Sequence, residues 1–523
     1  MVDKTFGLVR NIYNNRMRSG YSGGYMPPLG SGNIYHVAKN GNDTTGNGSL
    51  GNPFLTIGRA MSVAEVGMTI QLHAFDNAMT SYRESTDPTD PLYGNPYTTK
   101  VNVSSSVVAG VAPQVSGELG NQCTLMAYPG HEGLVQIQGA DLLAGIHSNG
   151  FDYWTIWGLR IVDCFKGGVI SYDTSLGVEP NKTIGPSATF GWIIENCFFD
   201  NIYTNQLAYP GIDNCSAISP WSSVNWTIRN NKIRRVYDVD GIKINSAIQS
   251  YYAVNCLIEH NDIEGDQGIF FKDHWLETLM PRAPYALESE IRYNRIKTTG
   301  APLYVGQRDG TSQESGGHYF HHNICFGTHL TATGNSAKTF FYAKMTQGVG
   351  GVQQSTKLRI ENNILDRGAT TSMTGMKVSA WNEVIFKGNI LIADSALYVL
   401  ENPSDGNAFP LNKLVASDEN IFVTPAFKME LQKNAPDEVA ITNFSTWKTK
   451  LSGDYRDLAV SNPDTNSIVV ATTAGLFNDV ANNDYHYAVG SSAIGFRLDG
   501  SNAGAYQLGT ETIGLLPVYS AGS

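Results

Sequence analysis

The stretch DQGIFFKDHW, Asp266 to Trp275, ends an alternating apolar run on an amine, a carboxyl group, an imidazole and an indole: Lys272, Asp273, His274 and Trp275. Buried strands do not ordinarily finish on such groups, whereas the rim of a reactive site does. A second rim of this kind stands in APLYVGQRDG, where Tyr304 is followed by Gln307, Arg308 and Asp309. An amine close to other cations has a lowered proton affinity and can serve as a base near neutral pH. Elimination from a uronate needs such a base for the C5 proton, a cation to neutralise the carboxylate, and an acid for the leaving oxygen.

Short strands must position these groups. In QGIFFK the period of two turns Ile269 and Phe271 inward and Phe270 and Lys272 outward. In APLYVG it turns Leu303 and Val305 inward and Tyr304 outward, with Gln307 and Arg308 following the strand. DGIKIN reads the same way, with Ile242 and Ile244 in and Lys243 out, and FFYAKM places Lys344 beyond its strand. Lys243, Lys272, Tyr304, Arg308 and Lys344 are therefore expected on one face over about four coils, a local basic patch on an acidic chain.

The strands belong to a repeat. An alternating run followed by Asn, one residue and an apolar residue recurs as WIIENCFF, WTIRNNKI, CLIEHNDI, SEIRYNRI, HYFHHNIC, LRIENNIL and VIFKGNIL. Its Asn falls at Asn196, Asn231, Asn261, Asn294, Asn323, Asn363 and Asn389, at intervals of 35, 30, 33, 29, 40 and 26 residues. Two strands per unit, polar turns and variable unit length describe an all-β solenoid, in which each coil buries its apolar face only against its neighbours. The expected fold is a single right-handed parallel β-helix from about Thr124 to Phe422, with the seven Asn stacked in a column that satisfies a buried bend. Phe54, Ile57, Met61 and Ala64 recur at helical spacing, so a helix near Pro53 to Val66 is expected to cap the open end. Residues 76–120, Trp275 to Ser289 and Asp309 to Gly317 lack coil periodicity and are expected to be long loops walling a groove.

Composition bounds the function. The chain has 523 residues, 41% hydrophobic and 16% charged, with 54 Gly and a net charge of -11. That is globular and turn-rich, and the acidic balance argues against a nucleic-acid partner, which needs clustered Lys and Arg. No apolar run is long enough to cross a membrane and the N-terminus lacks a signal-peptide core, so the chain is expected to be cytoplasmic or to leave the cell by another route, and a virion component released by lysis would fit. The six Cys form no CxxC pair and are read as small buried side chains. Residues 1–32 are taken as an N-terminal extension, 33–508 as the β-helix domain and 509–523 as a C-terminal tail.

At this point the sequence resembles pectate-lyase-like right-handed β-helix proteins. YHVAKNGNDTTGNGSLGNPFLTIGRAMSVAEVGMTI is similar to their opening segment, TLMAYPGHEGLVQI to their first coil, and FSTWKTKLSGDYRDLAVSNP with DYHYAVGSSAIGFRLDGSNAGAYQ to their close. The layout of FFKDH and YVGQRDG resembles the alginate lyase and chondroitinase B group, which implies Lys272 as base and Arg308 as acid or carboxylate partner. It departs from that group in reading Lys272-Asp273 where the group has Lys-Ser, and in the insertion WLETLMPRAPYALES. DVDGIKI resembles the base strand of another, calcium-dependent pectate lyase family, which implies Asp238 and Asp240 as Ca²⁺ ligands and Lys243 as base.

Three functions follow as expectations. The first is a polysaccharide lyase on an acidic glycan, with His274 beside Lys272 and with Tyr304, Lys344, Trp275, Gln307 and Phe270 contacting substrate. The second is a tailspike-type glycoside hydrolase drawing two carboxyls from Asp238, Asp240, Asp273, Asp309 and Glu314. The third is a non-catalytic glycan-binding spike. A monomer and a homotrimer are both compatible with any of them. His260, His318, His321 and His322 are read mainly as turn packing, with His321 or His322 as lesser groove candidates.

Overall fold

The computed structural model describes residues 26–516 except 83–100, 105–106, 140–142, 172–188, 206, 209–214, 242–244, 252, 274–288, 308–313, 316–317, 328–338, 345–353, 356, 368–373, 380–382, 394–396, 402–413, 434–438 and 451–463, and it omits some side chains beside them. Three long sheets, of 12, 13 and 13 strands, hold 38 of the 44 strands among the described residues. One coil visits all three in turn: Glu290–Arg292 in the first sheet, Arg295–Thr298 in the second and Leu303–Gln307 in the third. Each pairs in parallel with the strand one coil earlier and the strand one coil later. The chain is a parallel β-helix.

Its interior is built by the period of two. Ile258, Ile291, Phe320 and Ile360 follow one another inward on the first sheet, and Ile269, Phe271, Leu303 and Val305 on the third, all fully buried. Trp154, Trp192 and Trp226 stack at the corner where the chain enters the first sheet. All six Cys are free and buried, as expected.

Between the first and second sheets the chain turns in two residues, and the chemistry of that turn explains the repeat. The first residue is left-handed, as at His260, Tyr293, His322 and Asn362, with φ between 53° and 57° in Asn196, Asn230 and Asn362. The second is the ladder Asn. Asn294 Nδ2 donates to Ile258 O, Arg292 O and Asn323 Oδ1, while its Oδ1 accepts from the backbone and side chain of Asn261. The same links join Asn231, Asn261, Asn294, Asn323, Asn363, Asn389 and Asn420. At the C-terminal end Asn420 meets the buried Asp464, which also accepts from Ser417, Ser467 and Trp447.

Asn196 is the exception. The residue in the ladder is Cys197, whose N–H donates to Asn231 Oδ1, and Asn196 occupies the preceding left-handed position with Asn230. The sequence phrase ENCF slipped by one because Asn serves both positions of the turn: it tolerates the left-handed region and it caps neighbouring backbone groups.

Four other expectations are revised. The capping helix spans only Ile57–Ser62, with Thr56 as N-cap, and Phe54 instead bridges to Val37. The solenoid begins a coil before Thr124, at Thr69–Leu72, and extends to Ile468–Val470. Residues 76–120 are not a loop throughout: Thr80–Tyr82 joins the second sheet and Val107–Val111 the third, and Tyr82 and Val111 enter the core. The tail docks as far as Leu516, whose N–H donates to Asn230 Oδ1.

That docking completes a strap over the left-handed column. Arg497 bonds Glu419 and Asn362, Gly504 N–H donates to Gly388 O, Gln507 meets His322, and Gly514 N–H donates to Tyr293 O. Beneath it Tyr485, Ala493, Ala503, Ala505 and Tyr506 form a second apolar cluster with Phe326, Ile364, Ile390 and Ile421. Among the described residues no helix is long and apolar enough to cross a membrane.

Candidate functional site

The third sheet carries the predicted groups in two outer rows. Strand Gln267–Asp273 pairs with Leu303–Gln307, which pairs with Thr339–Lys344, which pairs with Thr374–Ser379. The register aligns Gln249, Phe270, Tyr304, Tyr342 and Lys377 in one row. Two residues along each strand it aligns Tyr251, Lys272, Gly306, Lys344 and Ser379 in the other. Both rows alternate with the buried Ile269, Phe271, Leu303 and Val305, so they occupy outward register positions.

The rows differ in chemistry. One is aromatic at its centre: the Phe270 and Tyr304 rings meet edge to face with centroids 4.3 Å apart. The other is cationic, with lysines on either side of a glycine. Rungs of parallel strands lie roughly 4.8 Å apart, so the strip can meet a linear polymer unit by unit.

Lys272, Tyr304, Phe270, Gln307 and Lys344 thus lie on adjacent rungs of one sheet. Arg308, His274, Trp275 and Lys243 lie outside the described residues, as does Asp309. In sequence Arg308 follows Gln307 directly and His274 follows Asp273. Lys243 needs a correction of register. The third-sheet strand of its coil is Ser246–Tyr251, not DGIKIN, and the residue level with Lys272 is Tyr251. The misreading arose because DGIKIN imitates the alternation of its neighbours, whereas Asn245 is a buried turn residue that bonds Cys215 N–H and the Thr204 hydroxyl. Gln249, level with Phe270, is buried, and the register adds Tyr251, Tyr342 and Lys377 to the two rows.

Most of Trp275 to Ser289 and of Asp309 to Gly317 lies outside the described residues. Ser289 itself is a buried corner residue whose hydroxyl oxygen accepts from Cys256 N–H. Glu314–Ser315 pairs in parallel with Gln354–Ser355 from the following coil.

Asp238 ends the second-sheet strand Val236–Asp238 and Asp240 follows it, ahead of the third-sheet strand Ser246–Tyr251. Asp238 is buried and accepts from the Thr204 hydroxyl at 3.1 Å, and Asp240 accepts from Leu207 N–H at 2.7 Å. Both therefore hold the loop that follows Thr204. Among the described residues no group of three or more His, Cys, Asp or Glu side chains is arranged to hold a metal ion. Asp266 is close to this corner: burial raises its carboxyl above the ordinary value, the Thr299 hydroxyl opposes this, and the Asp238 charge adds to it.

The histidines face elsewhere. His318 is buried at the corner against Phe271. His321 lies on the first sheet, 3.0 Å from Glu290, and His322 and His260 lie in the left-handed column under the strap. The first sheet carries its own outer row of alternating charge, Glu195, Arg229, Glu259, Arg292, His321, Glu361, Lys387 and Asp418. Close pairs such as Arg229–Glu195 at 2.9 Å and Arg292–Glu259 at 2.7 Å satisfy those charges within the row.

No family model and no curated protein matches the sequence. Solved structures similar to it include pectate lyase Pel9A (16% identity, 66% of this chain and 79% of that one, TM-score 0.39). A rhamnogalacturonan lyase is 13% identical over 79% of this chain and 86% of its own, with a TM-score of 0.42. A mannuronic acid specific polysaccharide family 6 lyase from human gut microbiota is 11% identical over 77% and 83%, with a TM-score of 0.38. These are polysaccharide lyases, and at such distances the likeness assigns no reaction to this chain.

Proposed function

We propose that this chain is a polysaccharide lyase acting on an acidic, uronate-containing glycan along the outer face of the third sheet. The observation that carries the proposal is the pairing of an aromatic row, Phe270 and Tyr304, with a cationic row containing Lys272 and Lys344 on the same rungs. Lys272 is the base. Its neutral amine takes the C5 proton, the C4–O bond breaks as C4=C5 forms, and the leaving oxygen receives a proton. Arg308, one residue beyond the strand that pairs with that of Lys272, serves the leaving oxygen or the carboxylate. Cations on one strip favour the neutral amine of Lys272 and lower the cost of the enolate charge.

A hydrolase is the second reading, favoured by one observation: burial, and in part the Asp238 charge, raises the Asp266 carboxyl above its ordinary value, as a general acid would need. Asp266 stands just before the strand Gln267–Asp273 and Lys272 near its end, so the two readings make separable predictions. Incubation with a panel of acidic polysaccharides decides between them. Ultraviolet absorbance from unsaturated uronate supports the lyase. New reducing ends without absorbance support the hydrolase, and binding without either supports a glycan-binding spike. Loss of activity on chelation would bring in the calcium-dependent alternative with Asp238, Asp240 and Lys243.

A further inference from the structure

Gly306 is the anomaly in the cationic row. It pairs with Lys272 on one side and with Lys344 on the other, and the remaining members, Tyr251 and Ser379, all carry side chains. Glycine inside a strand costs more conformational entropy than alanine does. Where it persists at an outward position it commonly marks a close approach by a ligand or another backbone. Here it leaves a gap one rung wide between two lysines. Their Cα atoms are two strand spacings apart, roughly 9.6 Å, with the Gly306 strand midway between them. The same strand places Tyr304 two residues before the gap, with Phe270 edge-on to it at 4.3 Å.

We infer that Gly306 floors the seat of the reacting uronate, with Lys344, and not only Arg308, as the cation that neutralises its carboxylate. This rests on the lyase reading with Lys272 as base. A sugar ring over Tyr304 with its carboxylate above Gly306 has Lys272 on one flank and Lys344 on the other. C5 and its carboxyl carbon are bonded neighbours, so one amine can meet the C5 proton while the other meets the carboxylate oxygens. The charge that builds on the carboxylate as the proton leaves is then stabilised across a single rung, and Arg308 is left for the departing oxygen. Any side chain at 306 occupies the place of the carboxylate. The residue that selects acidic over neutral sugars is accordingly Lys344, and the residue that admits a sugar at all is Gly306.

The test uses the full chain and, as probes, polygalacturonate, polymannuronate and their carboxyl-reduced, neutral forms. Binding is measured in the Lys272→Ala background and turnover in the otherwise native chain. Lys344→Ala should weaken binding of the acidic probe at least ten-fold and leave the reduced probe unchanged, and Lys344→Arg should recover part of the loss. Gly306→Leu should remove binding of both forms, Gly306→Ala should weaken both several-fold, and Lys297→Ala, on the second sheet, should change neither. Equal loss of acidic and reduced probes in Lys344→Ala, or native turnover in Gly306→Leu with an unchanged melting curve, overturns the inference. If the chain binds acidic probe through Lys344 and Gly306 but yields no unsaturated product, the lyase reading fails while the seat stands. If it binds no acidic probe, the seat fails too.

Discussion

Arg497 and Glu419 lie 78 residues apart in sequence and 2.8 Å apart between Nε and Oε2. Their contact pins the returning C-terminal strap to the last Asn coil, and Arg497 reaches on to Asn362 at 3.0 Å. The solenoid is thus closed lengthwise by a segment that the repeat itself does not specify.

Acid should release this strap. Burial alone would raise the Glu419 carboxyl, but Arg497 and Lys387 outweigh it and the net shift is downward. Its stabilisation is therefore present above the ordinary carboxylate value, about 4.3, and lost as pH falls through the lowered one. Burial, then the neighbouring His321, lowers His322 to about 4. An unfolded imidazole takes up its proton near 6.5 and the folded one only near 4, so this contribution also declines as pH falls between those values. Amide exchange at Gly504 and Gly514, corrected for intrinsic rates, should quicken between pH 6.5 and 4. Arg497→Ala should quicken it at neutral pH, and protection unaffected by either change would refute the pinning role.

Asn294→Ala should be among the costlier substitutions in the solenoid. It removes five side-chain hydrogen bonds and leaves Ile258 O and Asn261 N–H without their described partner inside the turn. A loss of about 3 kcal/mol is expected for several neutral bonds and buried groups left unpaired. Asn196→Ala, one position off the ladder, should cost clearly less, and denaturant unfolding of the two variants measures the difference.

The six thiols should be silent in the native state. Burial pushes Cys164 and Cys197 up to about 12 and raises Cys215 and Cys325 further. A thiol-reactive chromophore at pH 8 should label none of them until the chain unfolds, since the thiolate is the reacting form. Rapid labelling without unfolding would contradict the burial.

The solenoid was legible because each coil repeats one physical problem, a two-residue bend whose buried carbonyls need an amide side chain. Its phase was less legible, since Asn suits both residues of that bend, and ENCF was read one position early. On the third sheet the alternation of QGIFFK and APLYVG placed Phe270 and Tyr304 in one row, where their rings meet edge to face. It failed at DGIKIN, because alternation says which face a residue takes without saying which strand pairs with which. The strap was invisible for a related reason: its bonds join single residues across long separations, such as Gln507 to His322, and such contacts leave no period in the sequence.

The most direct test of the central claim is the ultraviolet assay with Lys272→Ala. The native chain on its acidic polysaccharide should generate absorbance from unsaturated uronate, at a rate that rises with pH as the lysine loses its proton. Lys272→Ala should lose at least a hundred-fold, the scale of a general base, with an unchanged melting temperature, since an outward side chain contributes little to the core. Full turnover in Lys272→Ala, or reducing ends formed without absorbance and lost instead in Asp266→Asn, would contradict the account.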